Sequence, residues 1–267
     1  MKDLKKNASL QIARILEMIQ NPNNAILEPP RFVEYALGDK ISRLRNHHTV
    51  LFCFDAGIYA KLKRTFGGSI FSGLTGELYL MDNKIALAGK FGIGCPAVIA
   101  FLEELAACGI KRFVGIGSAG ALHRKIKIGD VVLCTGAFSD EGTSAHYPGY
   151  ELFSKPSHTL STQLALWLKK HQLLFVEGKT WTIDAPYRET EIKLEYFLNA
   201  GADVVEMEAS AMFNIARFRK VAVANVFVVG DSISDGVWNP GFKSAVVQKK
   251  SLLVGIEIVL FLSENPI

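Results

Sequence analysis

The feature that most restricts the fold is an alternation of two kinds of segment. Short apolar runs rich in strand formers lie at Thr49–Asp55, Gly76–Met81, Lys84–Ala88, Arg112–Ile116, Asp130–Thr135, Phe175–Ile183 and Ala222–Val229. Longer stretches with helical apolar spacing lie at Pro96–Cys108, Leu160–Lys170, Glu189–Ala200, Glu208–Arg217 and Phe242–Ser263. Runs this short and this apolar read as buried strands, which need cover on both faces. The alternation therefore predicts an α/β layered domain with helices on both sides of a sheet. Pro96 suits the first turn of its helix and Gly109 suits the stop.

Ahead of the first strand, helical spacing covers 3–20, "NPNN" at Asn21–Asn24 breaks it, and a weaker helical stretch covers Phe32–Leu44. We read 1–48 as an N-terminal helical extension and 49–267 as one domain, since no Pro/Gly-rich linker divides it. The net charge of +4 is mild and the basic residues are scattered, with small excesses at Lys2, Lys5 and Lys6 and at Lys249–Lys250. No basic run interleaved with aromatics is present, which argues against nucleic acid as a partner. The longest apolar stretch, Ser251–Leu262, is too short for a bilayer and contains Glu257, so no membrane role is expected. Cys53, Cys95, Cys108 and Cys134 form no C-x-x-C pair, which suits free thiols in a reducing compartment. With no apolar secretory leader, the expected location is the cytoplasm.

Four segments could carry chemistry. In "FVGIGSAGAL" (Phe113–Leu122) a buried strand ends in small residues, and Gly117, Ser118 and Gly120 let the backbone approach a ligand closely. Its spacing is not that of a dinucleotide site, and by itself it is equally a tight strand-to-loop turn. In "FGIGCPA" (Phe91–Ala97) glycines precede a helix N-terminus, either facing a polar ligand or simply entering the helix. In "DVVEMEASAMF" Glu206 and Glu208 flank Met207 among apolar neighbours. Acids early in a helix can do no more than serve its dipole, but buried ones need strong partners, and an adjacent pair of sugar hydroxyls is such a partner. In "VFVVGDSISDG" (Val226–Gly236) Asp231 ends an apolar strand, where partial desolvation would raise its pKa towards working pH.

Together these segments resemble the nucleoside phosphorylase and nucleosidase superfamily, over about 49–263. "VVEMEASAMF" is similar to that family's ribose-binding signature, and "GIGSAGAL…KIGDVV" to the segment that binds phosphate or the sugar end. "FSDEGTSAHY" and "TIDAPYRET" resemble its base-side segments. The resemblance implies three α/β/α layers around a central twisted mixed sheet, and cleavage of the N-glycosidic bond of a nucleoside, phosphorylase-like, with a purine favoured and uridine an alternative. It implies that Glu208 holds the ribose diol, Met207 packs on the sugar and Glu206 supports them. Ser118, Gly117 and Gly120 would bind phosphate or the sugar end. Asp231 would protonate the leaving base, and Tyr187, Arg188 and Phe138 would contact it. No metal or organic cofactor is implied; inorganic phosphate is the co-substrate of a phosphorylase. The implied partners are a small nucleoside and further copies of the chain, as a dimer or hexamer.

The chain departs from the pattern where phosphate would bind. The family's arginines correspond to Gly115, to Ile58 or Tyr59, and to Ser69 with Arg64 nearby; Lys61, Lys63 and Lys90 are the other basic candidates. The hydrolytic nucleosidases activate water with a glutamate after the first strand, where this chain offers Asp55. Pro186 replaces an expected phenylalanine, and no glutamine accompanies Arg188. A hydrolytic nucleosidase of the methylthioadenosine/adenosylhomocysteine type and a nucleoside-binding protein without catalysis are the alternatives.

Overall fold

The computed structural model describes residues 25–266. The helical spacing over 3–20 and the break at 21–24 lie outside them. The chain begins with α1 (Pro29–Leu37) and a 3-10 turn (Gly38–Leu44), then β1 (Thr49–Cys53), α2 (Ala56–Thr65), β2 (Gly68–Phe71), β3 (Glu77–Met81) and β4 (Ile85–Gly89). It continues through α3 (Cys95–Ala107), β5 (Arg112–Ala121), β6 (Val131–Asp140), β7 (Phe153–Ser154), α4 (His158–Lys170) and β8 (Val176–Ile183). It ends with α5 (Glu191–Ala200), β9 (Val204–Glu206), α6 (Ala209–Arg219), β10 (Ala222–Ser232), β11 (Asn239–Pro240) and α7 (Ala245–Glu264).

Among the described residues, the strands and helices expected from periodicity are present, with two informative differences. The stretch Phe32–Leu44 is not one helix. Gly38 takes a positive φ of 50° and ends α1, and the rest tightens into 3-10 geometry. The glycine-rich end of Phe113–Leu122 is not a turn. It stays in the ladder, so β5 runs on to Ala121. Periodicity missed α2 because only Ile58, Tyr59 and Leu62 of its ten residues are buried. It missed β7, β9 and β11 because two or three residues are too few to show a period.

The sheet is mixed. Parallel pairs join β1 to β4 and β5, β5 to β10, β6 to β8, and β8 to β9. Antiparallel pairs join β2 to β3, β3 to β4, β5 to β9 and β6 to β10. Because β10 pairs with both β5 and β6, strands β5, β10, β6, β8 and β9 close on themselves as a small barrel, and β1, β4, β3 and β2 extend from it. Helices α1, α3 and α6 bury their apolar residues on one face, with Val33, Leu102 and Phe213 in that core. Helices α2, α4 and α7 cover the other, with Leu62, Leu164 and Ile258. The three layers expected from the resemblance are thus present, with the sheet partly closed. All four cysteines are free, and Cys108 is the one not fully buried. Among the described residues no helix is long and apolar enough to cross a membrane.

Closing the barrel brings β5 and β10 tightly together. A Cβ on Gly115 would lie 2.4 Å from Oδ1 of the buried Asn225 on β10 and 3.2 Å from the Phe54 ring. The position where the resemblance implies an arginine therefore has no room for a side chain. Gly115→Ala should destabilise the fold by about 1–3 kcal/mol, as overpacking of a close-packed interior does, read as a lowered urea midpoint at unchanged m-value.

Candidate active site

The site follows from how β5 is paired. Along one edge, Arg112–Ile116 pair with β1 and Gly120–Ala121 pair with β9. Between those partners, residues 117–119 have no strand on that edge among the described residues. A cavity of about 340 Å³ opens there, of a size that suits a small ligand. Gly117, Ser118, Ala119 and Gly120 form one wall. Small residues are needed: a Cβ on Gly117 would come within 3.1 Å of Phe54, and one on Gly120 within 3.0 Å of Asp231 and 3.1 Å of Val205. The entry loop of α3 supplies Gly92 and Ile93.

Next to that wall is the junction of β9 with α6, where Glu206, Met207 and Glu208 all reach the cavity. Both carboxylates are deeply placed, Glu206 at 6% exposure and Glu208 at 9%. Glu206 accepts from Thr182 Oγ1 (2.5 Å), Thr180 Oγ1 (3.2 Å) and the backbone N–H groups of Glu208 and Ala209 (both 2.8 Å). It thereby caps the first turn of α6, whose own N-cap residue, Glu208, makes no capping bond with its side chain. Glu208 instead accepts from Gly94 N–H at 2.7 Å, and no Lys, Arg or His pairs with it among the described residues. Burial raises the pKa of both acids, and four donors counter this at Glu206. At Glu208 burial, and then the neighbouring Glu206, push the carboxyl up to about 8. The four donors at Glu206 favour its anion, whereas burial and the acidic neighbour favour the protonated form of Glu208.

Asp231, Glu189, Pro186, Phe227 and Phe242 complete the lining. Burial raises the Asp231 carboxyl, and a hydrogen bond from Trp238 Nε1 to Oδ2 (2.8 Å) opposes this. Glu189 is pushed up to about 7, first by burial and then by Asp231. Sequence reasoning missed Glu189, Phe242 and Trp238. The apolar strand leading to Asp231 pointed to the right place, but nothing local says that later residues fold back over it.

The structure thus brings together Glu206, Met207, Glu208, Gly117, Ser118, Gly120 and Asp231. It does not bring in the others. Tyr187 is 99% exposed and Arg188 is exposed beside it; their neighbours Pro186 and Glu189 face the cavity instead. Phe138 packs between the rings of Phe153 and Phe197. Asp55 caps α2 by accepting from Ile58 N–H at 2.7 Å, and Phe54 is the cavity residue of that segment. Among the described residues, no lining residue is Lys, Arg or His. Ile58 and Tyr59 are core residues, Arg64 is exposed, and Lys63 and Lys90 both bind the Glu77 carboxylate, at 2.7 and 3.1 Å. Cys95, Glu141 and Asp184 place ligand-type atoms within 4.8 Å of one another, but protein donors and acceptors already engage them. The Cys95 thiol donates to Met207 O, Glu141 accepts from Ser139 and Ser210, and Asp184 accepts from Gly142 N–H.

The sequence of this cavity can be compared with those of known proteins. The family model described as "Phosphorylase superfamily" matches residues 43–255. The chain belongs to the phosphorylase superfamily. It is 30% identical over 145 residues to a guanosine phosphorylase of Halorubrum lacusprofundi, a match covering 54% of this chain and 60% of that protein. It is 27% identical over 165 residues to a DeoD-type purine nucleoside phosphorylase of Aliivibrio fischeri, covering 61% and 68%. Its fold is like that of uridine phosphorylase from Vibrio fischeri ES114 (TM-score 0.72, 21% identity, 84% of this chain and 94% of the other). It is also like that of AMP nucleosidase from Bacteroides thetaiotaomicron (TM-score 0.71, 20% identity, 90% and 100%).

The acid pair sets two expectations for stability. Glu206→Gln leaves one acceptor oxygen facing four donors and should cost about 3–5 kcal/mol in denaturant unfolding. Glu208 carries its proton to a higher pH folded than unfolded, so the ligand-free protein should lose stability as pH rises from about 4.5 through about 8. Glu208→Gln should flatten that slope in unfolding midpoints measured across the range.

Proposed function

We propose that this chain cleaves the N-glycosidic bond of a nucleoside, with a purine as the leaving base. The observation that carries the reading is Glu208: a buried carboxyl on a cavity wall, held by backbone N–H and left without a cation. A pentose diol answers that situation, because a carboxylate accepts two adjacent O–H groups and such charge-assisted bonds are strong. Met207 then packs on the sugar, and Glu206 supports Glu208 from behind by holding its backbone N–H. Ser118, Gly117 and Gly120 face the sugar end from β5. Asp231, at the other end, delivers a proton to the base as the bond breaks. The sugar develops oxocarbenium character, so the departing base gains electron density and leaves best when protonated. The purine assignment is supported by Asp231 and by the guanosine and purine nucleoside phosphorylases among the relatives. Pro186 and Phe242 provide the apolar walls beside the base, with Tyr187 and Arg188 just outside on the same turn.

The absence of a cationic lining residue among the described residues favours hydrolysis as a second reading. A phosphate dianion stripped of water needs charged or multiple donors, and this cavity presents four carboxyl side chains, Glu189, Glu206, Glu208 and Asp231. A phosphorylase of this design would take its cations from another subunit of a homo-oligomer.

The test incubates the protein with adenosine, inosine, guanosine, uridine and methylthioadenosine, with and without phosphate, and follows base release by chromatography. Release of a purine base is expected. A requirement for phosphate identifies phosphorolysis, and indifference to it identifies hydrolysis. A nucleoside that raises the melting temperature without being consumed would replace the enzyme reading with a binding one. Glu208→Ala should lower kcat/KM on the order of 100-fold, from two lost charge-assisted bonds. Asp231→Asn should lower kcat by about 100-fold or more.

A further inference from the structure

The segment after Asp231 folds back on it. Asn239–Pro240 pair antiparallel with Ser232 and Asp231, and Gly241 N–H donates to Gly230 O at 2.9 Å. Phe242 then lies over Gly230, so closely that a Cβ there would meet its ring at 2.5 Å, and reaches the cavity wall. At the near end of this strap stands Trp238. It is 62% exposed, so burial does not hold its ring. Water could satisfy an indole N–H in that position. It donates instead to Asp231 Oδ2 at 2.8 Å. The other oxygen, Oδ1, lies against Gly120, a residue of the cavity wall.

We propose that Trp238 is a positioning residue for Asp231: its indole N–H holds one carboxyl oxygen outside and so presents the other to the ligand. The proposal rests on the reading of Asp231 as the acid for the leaving base. It also gives the strap a chemical task. Asp231 can deliver a proton only while protonated, and only from an oxygen that faces the base. Trp238 secures the second condition at some expense to the first, since a donor stabilises the ionised form. The groups facing Asp231 work the other way. Burial of Asp231 and the neighbouring acid Glu189, from the turn before α5, favour its protonated form; Glu206 and Glu208 are the other titratable groups of the cavity lining. The β5 wall (117–120) and strap residues 237–242 bring no titratable side chain.

The experiment compares pH profiles of purine release for the unmodified chain, Trp238→Phe, Trp238→Gln and Asp231→Asn. Trp238→Phe should lower kcat about tenfold with KM little changed. It should also move the alkaline limb of the profile upward by about one pH unit, because Asp231 loses a donor that favours its anion. A residue that merely packs would not move that limb. Trp238→Gln, which keeps an N–H donor, should bring the limb back. A readout apart from turnover is indole fluorescence: the difference between the unmodified chain and Trp238→Phe should titrate with Asp231, and the titration should vanish in Asp231→Asn. If Asp231→Asn is inactive while Trp238→Phe keeps the original kcat and limb, the positioning role is overturned and the acid reading stands. If Asp231→Asn retains full activity, the acid reading fails and the positioning role falls with it.

Discussion

One buried carboxyl group organises the cavity end of this molecule. The Glu206 carboxylate sits where β8, β9 and α6 meet and collects four donors, two hydroxyls from β8 and two backbone N–H groups from the start of α6. A carboxylate taken out of water is tolerated only when its lone pairs are filled in this way. Satisfying it fixes the angle at which α6 leaves β9. That angle aims Glu208, two residues on, at the cavity rather than at the helix end it would otherwise cap. Glu208 is thus placed on the cavity wall by the requirements of its neighbour.

The cavity has a similar origin in backbone geometry. A strand shared lengthwise between two partners on one edge leaves a gap where one partner ends and the next begins. In β5 the gap falls at 117–119, within its run of small residues. Closure of the barrel through β10 brings Asp231 to the same place from the other side. Glu208 and Asp231 thereby line the same cavity. The charge there is one-sided, with acids at both ends and cations tied up elsewhere, as Lys63 and Lys90 are on Glu77. Such a cavity suits cationic character growing on a sugar. It does not by itself suit a dianion.

Much of the fold and the heart of the site were legible in the sequence. Apolar runs and helical spacing located the buried strands and the long helices, because a two-faced sheet cannot be built from anything else. The pair Glu206 and Glu208 stood out because charge among apolar neighbours requires a partner. Asp231 stood out because it ends the most apolar strand. The base-side residues were not legible. Tyr187 and Arg188 occupy a turn whose direction no local pattern encodes, and the turn shows Pro186 and Glu189 to the cavity instead. Phe138 was apolar enough for either role, and the hydrophobic cluster with Phe153 and Phe197 claimed it. Asp55 was read as the end of a strand, although an acid before a glycine-containing stretch equally starts a helix, and it caps α2.

By itself, then, the order of residues determined which segments are strands, which are helices, and that acids lie buried near the ends of two of them. These are consequences of periodicity and of the cost of desolvating charge, both of which act over a few residues. Only the tertiary structure decided that β10 would pair on both edges and close a barrel, that β5 would be left open over three residues, and that Trp238 would return to meet Asp231. Those outcomes depend on contacts between segments far apart in the chain, whose geometry is set by the packing of the whole and leaves no local trace.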